Sequence, residues 1–281
     1  LRTITLTGLA VAATLAVTAA HADVTIIPDS ALTPSASLYT SDLGSVVVTT
    51  GGGNAANVGQ ADGRNDDGFS GPINLGFTLH NFFGSDYNQF YINNNGNITF
   101  QNGLSDFTPE GPQGAVEPVI APFFADVDTR GAGSGVVHLN TATPGEVIVT
   151  WDHVGYYNSH DDKLDTFQLV LRSSDFAVPA GEGQIGFFYG DMQWETGDAS
   201  NGIGGFGGFP AAVGFGDGNS NGFVLASSQM NGISGVVANK QIWFNLGDGG
   251  IPTPVPEPET YALLLAGLGV MAFIARRRKQ A

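Results

Sequence analysis

The sequence predicts an all-β protein built as an antiparallel β-sandwich, and three observations carry that expectation. Apolar residues recur with a period of two through the middle of the chain, turn-forming residues punctuate them at short intervals, and no helical stripe appears between the termini. Ile73, Leu75, Phe77 and Leu79 alternate with Asn74, Gly76 and Thr78, which places one face in a core and the other in solvent. Val147, Val149 and Trp151 repeat the pattern, as do Phe167, Leu169 and Leu171, then Ile185, Phe187 and Tyr189. Val213 and Phe215, Phe223 and Leu225, and Ile242, Phe244 and Leu246 continue it. Phe90 and Ile92 are separated from Ile98 and Phe100 by Asn93-Asn94-Asn95-Gly96, residues that tolerate the positive φ of a tight hairpin turn. The 41 glycines imply long loops besides, above all over 202–208. Gly and Pro displace the strand pattern over 247–255, so that stretch is expected to be a linker.

Both ends differ from this pattern. Arg2, an apolar run over 9–19 and the small-residue site Ala20-His21-Ala22 form a secretory signal helix over 1–22, leaving Asp23 as the first mature residue. Signal peptidase is the implied partner at Ala20 and Ala22. At the other end, Pro256-Glu257-Pro258 precedes an apolar run over 261–275 and then Arg276-Arg277-Arg278-Lys279. Fifteen helical residues reach about 22 Å, short of a hydrocarbon core about 30 Å thick. A transmembrane helix of this length anchors transiently, with the arginines holding the inner face.

Between Asp23 and Pro256 only Arg64, Arg130, Lys163, Arg172 and Lys240 oppose 24 Asp and Glu, a net charge of −19 where the whole chain carries −16. No basic stripe is left to neutralise phosphates, which excludes nucleic acid as a partner. Such an acidic excess suits a soluble, self-repelling exported protein, or one that draws in divalent cations. Cysteine is absent, so neither disulfides nor thiolate metal sites staple the domain. About 230 mature residues suffice for one large core without them.

The order of parts over 256–281 resembles the PEP-CTERM sorting signal of Gram-negative surface proteins: Pro256, Glu257 and Pro258 fall on its Pro-Glu-Pro, 263–274 on its helix, and Arg276, Arg277 and Arg278 on its basic end. The resemblance implies that exosortase, a membrane protease, cuts near Pro-Glu-Pro and passes the protein to the cell exterior. A second resemblance covers 71–227. Residues 88–100 (NQFYINNNGNITF), 120–129 (IAPFFADVDT), 149–157 (VTWDHVGYY), 166–171 (TFQLVL) and 188–194 (FYGDMQW) are similar, in order, to the extracellular nidogen-like NIDO domain. Phe124 stands where that family often has Trp, and the lack of cysteine separates this chain from disulfide-bearing animal modules. The resulting organisation is a signal peptide over 1–22, a strand and loop lead-in over 23–70, the nidogen-like sandwich over 71–246, the linker over 247–255 and the sorting signal over 256–281.

Catalytic patterns are weak by comparison. Residues 218–222 fit G-x-S-x-G, but a nucleophile elbow needs a strand before Ser220 and a helix after it, whereas 223–225 has the look of a strand. Gly202, Gly204 and Gly207 fit G-x-G-x-x-G without the strand-to-helix setting that aims amides at a phosphate. Asp126 and Asp128 are two apart, so in an extended segment both carboxylates project from one face; hydrogen bonding to loop amides is the plainer role, and a shared calcium the functional one. Asp161 and Asp162 beside His160, and the run Asp62, Asn65, Asp66, Asp67, lack complete calcium-loop spacing and are expected to be solvated turns. His138, His153 and His160 lack metal-motif spacing, and Trp151, Trp194 and Trp243 belong to strand-like runs, which favours core packing over a carbohydrate platform. The expectation is therefore a non-enzymatic surface or matrix protein, calcium its one candidate cofactor, with extracellular polysaccharide or a surface protein as partner. A secreted hydrolase and a calcium-dependent adhesin are the alternatives.

Overall fold

The computed structural model describes residues 23–52 and 59–256. In chain order its strands are β1 Val24–Ile27, β2 Thr33–Pro34, β3 Ser45–Val46, β4 Ile73–Phe82, β5 Ser85–Asn93, β6 Asn97–Thr99, β7 Pro118–Phe124, β8 Val137–Asn140, β9 Glu146–Tyr156, β10 His160–Arg172, β11 Ile185–Tyr189, β12 Ala212–Asp217, β13 Gly222–Leu225, β14 Lys240–Leu246 and β15 Pro252–Pro254. They form two sheets, one ordered β1-β13-β12-β7-β6-β5-β4 and the other β15-β14-β11-β10-β9-β8-β3, with β2 on β14. This is the expected all-β sandwich, antiparallel throughout except where β1 runs parallel to β13 at an edge. One short α-helix, Ile233–Val237, lies among the described residues, and no helix there is long and apolar enough to cross a membrane. The signal and tail helices, and with them Ala20, Ala22, Glu257, Pro258, Arg276, Arg277 and Arg278, fall outside those residues.

Alternation decides which side chains meet between the sheets. Leu75 and Leu79 of β4 are buried while Asn74, Gly76 and His80 are exposed, and a register irregularity after Leu79 brings Phe82 into the core as well. Phe187 of one sheet stacks on Phe215 of the other at 5.2 Å, and Phe123 meets Phe167 at 5.5 Å across the same interface. Trp151 lies flat on Phe167, ring centroids 5.0 Å apart, and donates its indole N–H to the Asn94 carbonyl at 3.0 Å. A buried indole keeps its apolar area only if that N–H is satisfied, so this single bond fixes the depth of β9 against the β5–β6 turn.

β9 and β10 do not alternate cleanly, because both of their faces are covered. Ile148, Val170, Phe188 and Trp243 form a second apolar cluster on the outer face, closed by Leu38 and Tyr39. Thr40 exchanges two backbone hydrogen bonds with the Gln168 side chain, and Arg172, buried under this cover, binds Glu146 at 2.8 Å and Glu182 at 2.6 Å while lying over the Trp243 ring. The segment anticipated as a lead-in over 23–70 thus supplies three strands to the sheets and a lid to one of them. Likewise the 247–255 linker contains β15, paired with β14. Strands of two to four residues carry too little pattern to be read locally; their long-range partners create them.

All three tryptophans are buried, as core packing requires. Trp151→Ala is expected to destabilise the domain by about 3 to 5 kcal/mol in equilibrium denaturation, the range for deleting a large core aromatic. A loss below about 1 kcal/mol would contradict the packing described.

Candidate functional site

At one end of the sandwich four loop segments converge on a group of buried carboxylates. The first is the β5–β6 turn, where Asn93 pairs with Asn97 around Asn94-Asn95-Gly96, as the residue types predict. Gly96 has φ +75°, and any side chain there would collide with the Phe123 carbonyl, so the turn seats directly on the end of β7. The Asn94 amide donates to the Val127 carbonyl at 2.5 Å. Beyond β7 the chain bends: Val127 N–H donates back to the Ala125 carbonyl, and Val127 and Asp128 make isolated bridges to Tyr156 and Asp66. Asp126 therefore sits in a turn rather than an extended strand, and the simple alternation that would pair it with Asp128 does not apply.

The two aspartates have different surroundings. Asp128 is buried and fully engaged: Oδ1 accepts from the Arg130 backbone N–H and Nε, both at 2.9 Å, and Oδ2 from Arg130 Nη2 at 2.6 Å and Ser159 N–H at 2.8 Å. Those donors occupy the lone pairs a cation would need. Asp126 is 1 % exposed, and neither of its oxygens meets a hydrogen-bond donor. Its neighbours are Asp66 and Asp67, whose carboxylate oxygens lie with its own within 4.8 Å of one another. The structure thus brings Asp126 together with Asp66 and Asp67, leaving Asp128 bound to Arg130.

Asp66 and Asp67 belong to the run anticipated as a solvated turn, yet they are 3 % and 9 % exposed. Asn65 draws the loop inward. Its backbone N–H bonds Thr129 Oγ1 at 2.8 Å, its carbonyl accepts from Thr129 N–H and Oγ1, and its side chain caps the Thr49 carbonyl. Asp66 Oδ2 contacts Arg130 Nη2 at 2.8 Å, and Asp67 Oδ1 accepts from the Asn95 amide at 2.7 Å. A fourth wall comes from the loop after β11, where Gly197 packs so closely on Asp126 Oδ2 that a Cβ would collide with it. Asp62, at the loop's exposed end, binds Arg64 instead.

Asp66 and Asp128 share the Arg130 guanidinium, whereas Asp126 has only burial and other carboxylates around it. Burial, reinforced by the neighbouring carboxylates, pushes Asp126 up to about 8 and Asp66 to about 7; burial likewise raises Asp67 to about 6, against the lowering bond from Asn95. The other sequence candidates stay apart. Asp161 accepts from Gly133 N–H, Asp162 binds Lys163 and the Tyr156 hydroxyl, His160 binds Asp198 and His153 binds Asp152. Ser220 occupies the β12–β13 turn, pinned by Asp217 accepting from the Asn219 and Asn221 amides, with a strand on either side and no elbow.

A family model described as NIDO related matches residues 39–245. The chain belongs to the NIDO-related family. The described fold is therefore that of a NIDO-related domain, and a PEP-CTERM protein-sorting motif matches 254–279 directly after it. Alpha-tectorin of Gallus gallus is 34% identical over 195 residues, 58% of this chain and 9% of that protein. Alpha-tectorin of Homo sapiens is 33% identical over the same length and shares, and Nidogen of Drosophila melanogaster is 27% identical over 146 residues, 42% of this chain and 10% of that protein. The chain thus spans about a tenth of the length of these curated relatives. No solved structure matches it significantly. NIDO-related domain and sorting motif together make this an exported, surface- or matrix-type protein.

Because Asp66, Asp67 and Asp126 have folded values above the ordinary carboxylate value, the folded state takes up protons that the unfolded state releases. In a chelator, stability is therefore expected to rise as pH falls from 8 to 6, by on the order of 2 to 4 kcal/mol. Asp126→Asn should remove most of that slope in urea melts at the two pH values. An unchanged slope would contradict the burial of this charge.

Proposed function

We propose that this NIDO-related protein is a non-enzymatic interaction protein on the exterior of a Gram-negative bacterium, trimmed at both ends during export and retained among extracellular polysaccharide. The observation that carries the proposal is the seam between domain and sorting motif. β15 stays paired with β14 to Pro254, Val255 N–H donates to the Trp243 carbonyl at 2.8 Å, and Pro256 is exposed. Proline lacks the N–H needed to extend a ladder, so Pro252 and Pro254 suit an edge where pairing stops. Pro256-Glu257-Pro258 then begins at the first residue beyond the packed sheet, where exosortase reaches it without disturbing the fold.

In this scheme signal peptidase removes 1–22 at Ala20 and Ala22, the run over 261–275 holds the chain briefly in the membrane, and Arg276, Arg277 and Arg278 stop its passage. A strongly acidic domain stays soluble and apart from nucleic acid once released. Extracellular polysaccharide is the partner class that PEP-CTERM export implies, with a surface protein as the other candidate. The strand–turn–strand setting of Ser220 and the burial of Asp126 among other carboxylates favour a binding role over hydrolysis.

Intact-mass measurement of protein recovered from the cell surface is expected to give a chain beginning at Asp23 and ending near Pro256–Pro258. Finding Arg276–Lys279 still attached in most molecules would defeat the sorting scheme. The recovered protein is also expected to co-sediment with exopolysaccharide from the producing cells; if it stays in the supernatant with and without calcium, the polysaccharide is the wrong partner.

A further inference from the structure

We propose that Asp126, Asp66 and Asp67 bind one calcium ion, which clips the 62–68 loop to the end of β7 and to the β5–β6 turn. The inference concerns the domain itself and stands whether or not the tail is cut. Three observations support it independently of acidity alone. The first is spacing: one oxygen from each carboxylate lies within 4.8 Å of the others. Calcium takes oxygen ligands at 2.3 to 2.6 Å, so two ligands on one ion are at most about 5 Å apart, and the three carboxylates meet that limit without rearrangement.

The second is the state of Asp126. Both of its oxygens are buried without a hydrogen-bond donor, although a buried carboxylate is costly unless it is paired. Its surroundings supply no such donor. Arg130 is engaged by Asp128 and Asp66, and Gly197 presents no side chain toward Asp126 Oδ2. A cation placed among the carboxylates is the partner this geometry lacks.

The third is a pair of buried neutral oxygens on the β5–β6 turn, whose Asn95 amide is bonded to Asp67. Asn95 Oδ1 is buried without a donor while its amide is held by Asp67, and Asn94 Oδ1 is in the same condition with its amide on the carbonyl of Val127, next to Asp126. Hydrogen bonding through the amide nitrogens fixes which atom of each group is the oxygen. The three carboxylates form an all-oxygen donor set, with the Asn95 side chain bonded to one of them. Oxygen-only sites select hard cations, and the absence of histidine or thiol from the cluster disfavours zinc and copper. Calcium rather than magnesium is the better match, because loop-borne ligands from three separate segments give the irregular coordination that calcium tolerates and magnesium resists.

The site also explains why the loop is buried. Asn65 and Thr129 lock the backbone in place, which forces Asp66 and Asp67 toward Asp126 against their mutual repulsion. A divalent ion turns that repulsion into cross-linking between segments far apart in the chain.

The test is isothermal titration of calcium into the full chain in detergent, after chelation and at constant ionic strength, with melting temperature followed in parallel. The expected result is one saturable site per chain and a higher melting temperature with calcium than with equal magnesium. Asp126→Asn and Asp67→Asn should each weaken binding at least ten-fold, while Asp62→Asn on the exposed end of the same loop should leave it unchanged. No saturable binding, or equal effects of calcium and magnesium that persist in Asp126→Asn, would overturn the site and assign the cluster to screening of an acidic surface. Should Asp126→Asn fail to fold, the wild-type titration still decides, since absence of a single stoichiometric site is sufficient to reject the proposal.

Discussion

The β5–β6 turn is the constraint on which the rest of the domain depends. A turn buried inside a sandwich must satisfy its own polar groups, and this one does so by binding outward in several directions. The Asn94 carbonyl takes the Trp151 indole from the opposite sheet, the Asn94 amide holds the chain after β7, and the Asn95 amide holds Asp67. Gly96, which alone can approach the Phe123 carbonyl so closely, sets the distance at which these bonds form. Core depth and acidic site are therefore consequences of a single four-residue segment.

That coupling relates stability to function. An exported domain with a net charge of −19 over residues 23–256, and no cysteine, relies on packing and on local neutralisation of its buried acids. Arg172 neutralises Glu146 and Glu182 beneath the outer cover, and Arg130 neutralises Asp128. That same guanidinium is shared with Asp66, while Asp126 meets no hydrogen-bond donor. The calcium ion proposed above would supply the neutralisation that Asp126 and its neighbours otherwise lack.

Much of the fold was legible in the sequence, and the reasons for the remainder are physical. The hairpin at Asn93-Asn94-Asn95-Gly96 and the runs through Trp151, Phe167 and Phe187 announce themselves because turn chemistry and alternation are local. β1, β2, β3 and β15 do not, since two to four residues beside distant partners carry no periodic signal. The candidate site was half visible. The Asp126–Asp128 spacing points to a pair of carboxylates, but Arg130, two residues beyond Asp128, holds Asp128 apart from Asp126. Asp66 and Asp67 read locally as a solvated turn, because the Asn65–Thr129 pairing that buries them joins residues 64 apart. Local patterning cannot register such a bond.

Calcium-edge anomalous diffraction from crystals of the protein grown with calcium tests the central claim most directly. One strong peak is expected about 2.3 to 2.6 Å from carboxylate oxygens of Asp66, Asp67 and Asp126, with Asp128 still held by Arg130. No peak at that position, with Asp126 instead bonded to protein donors, would contradict it.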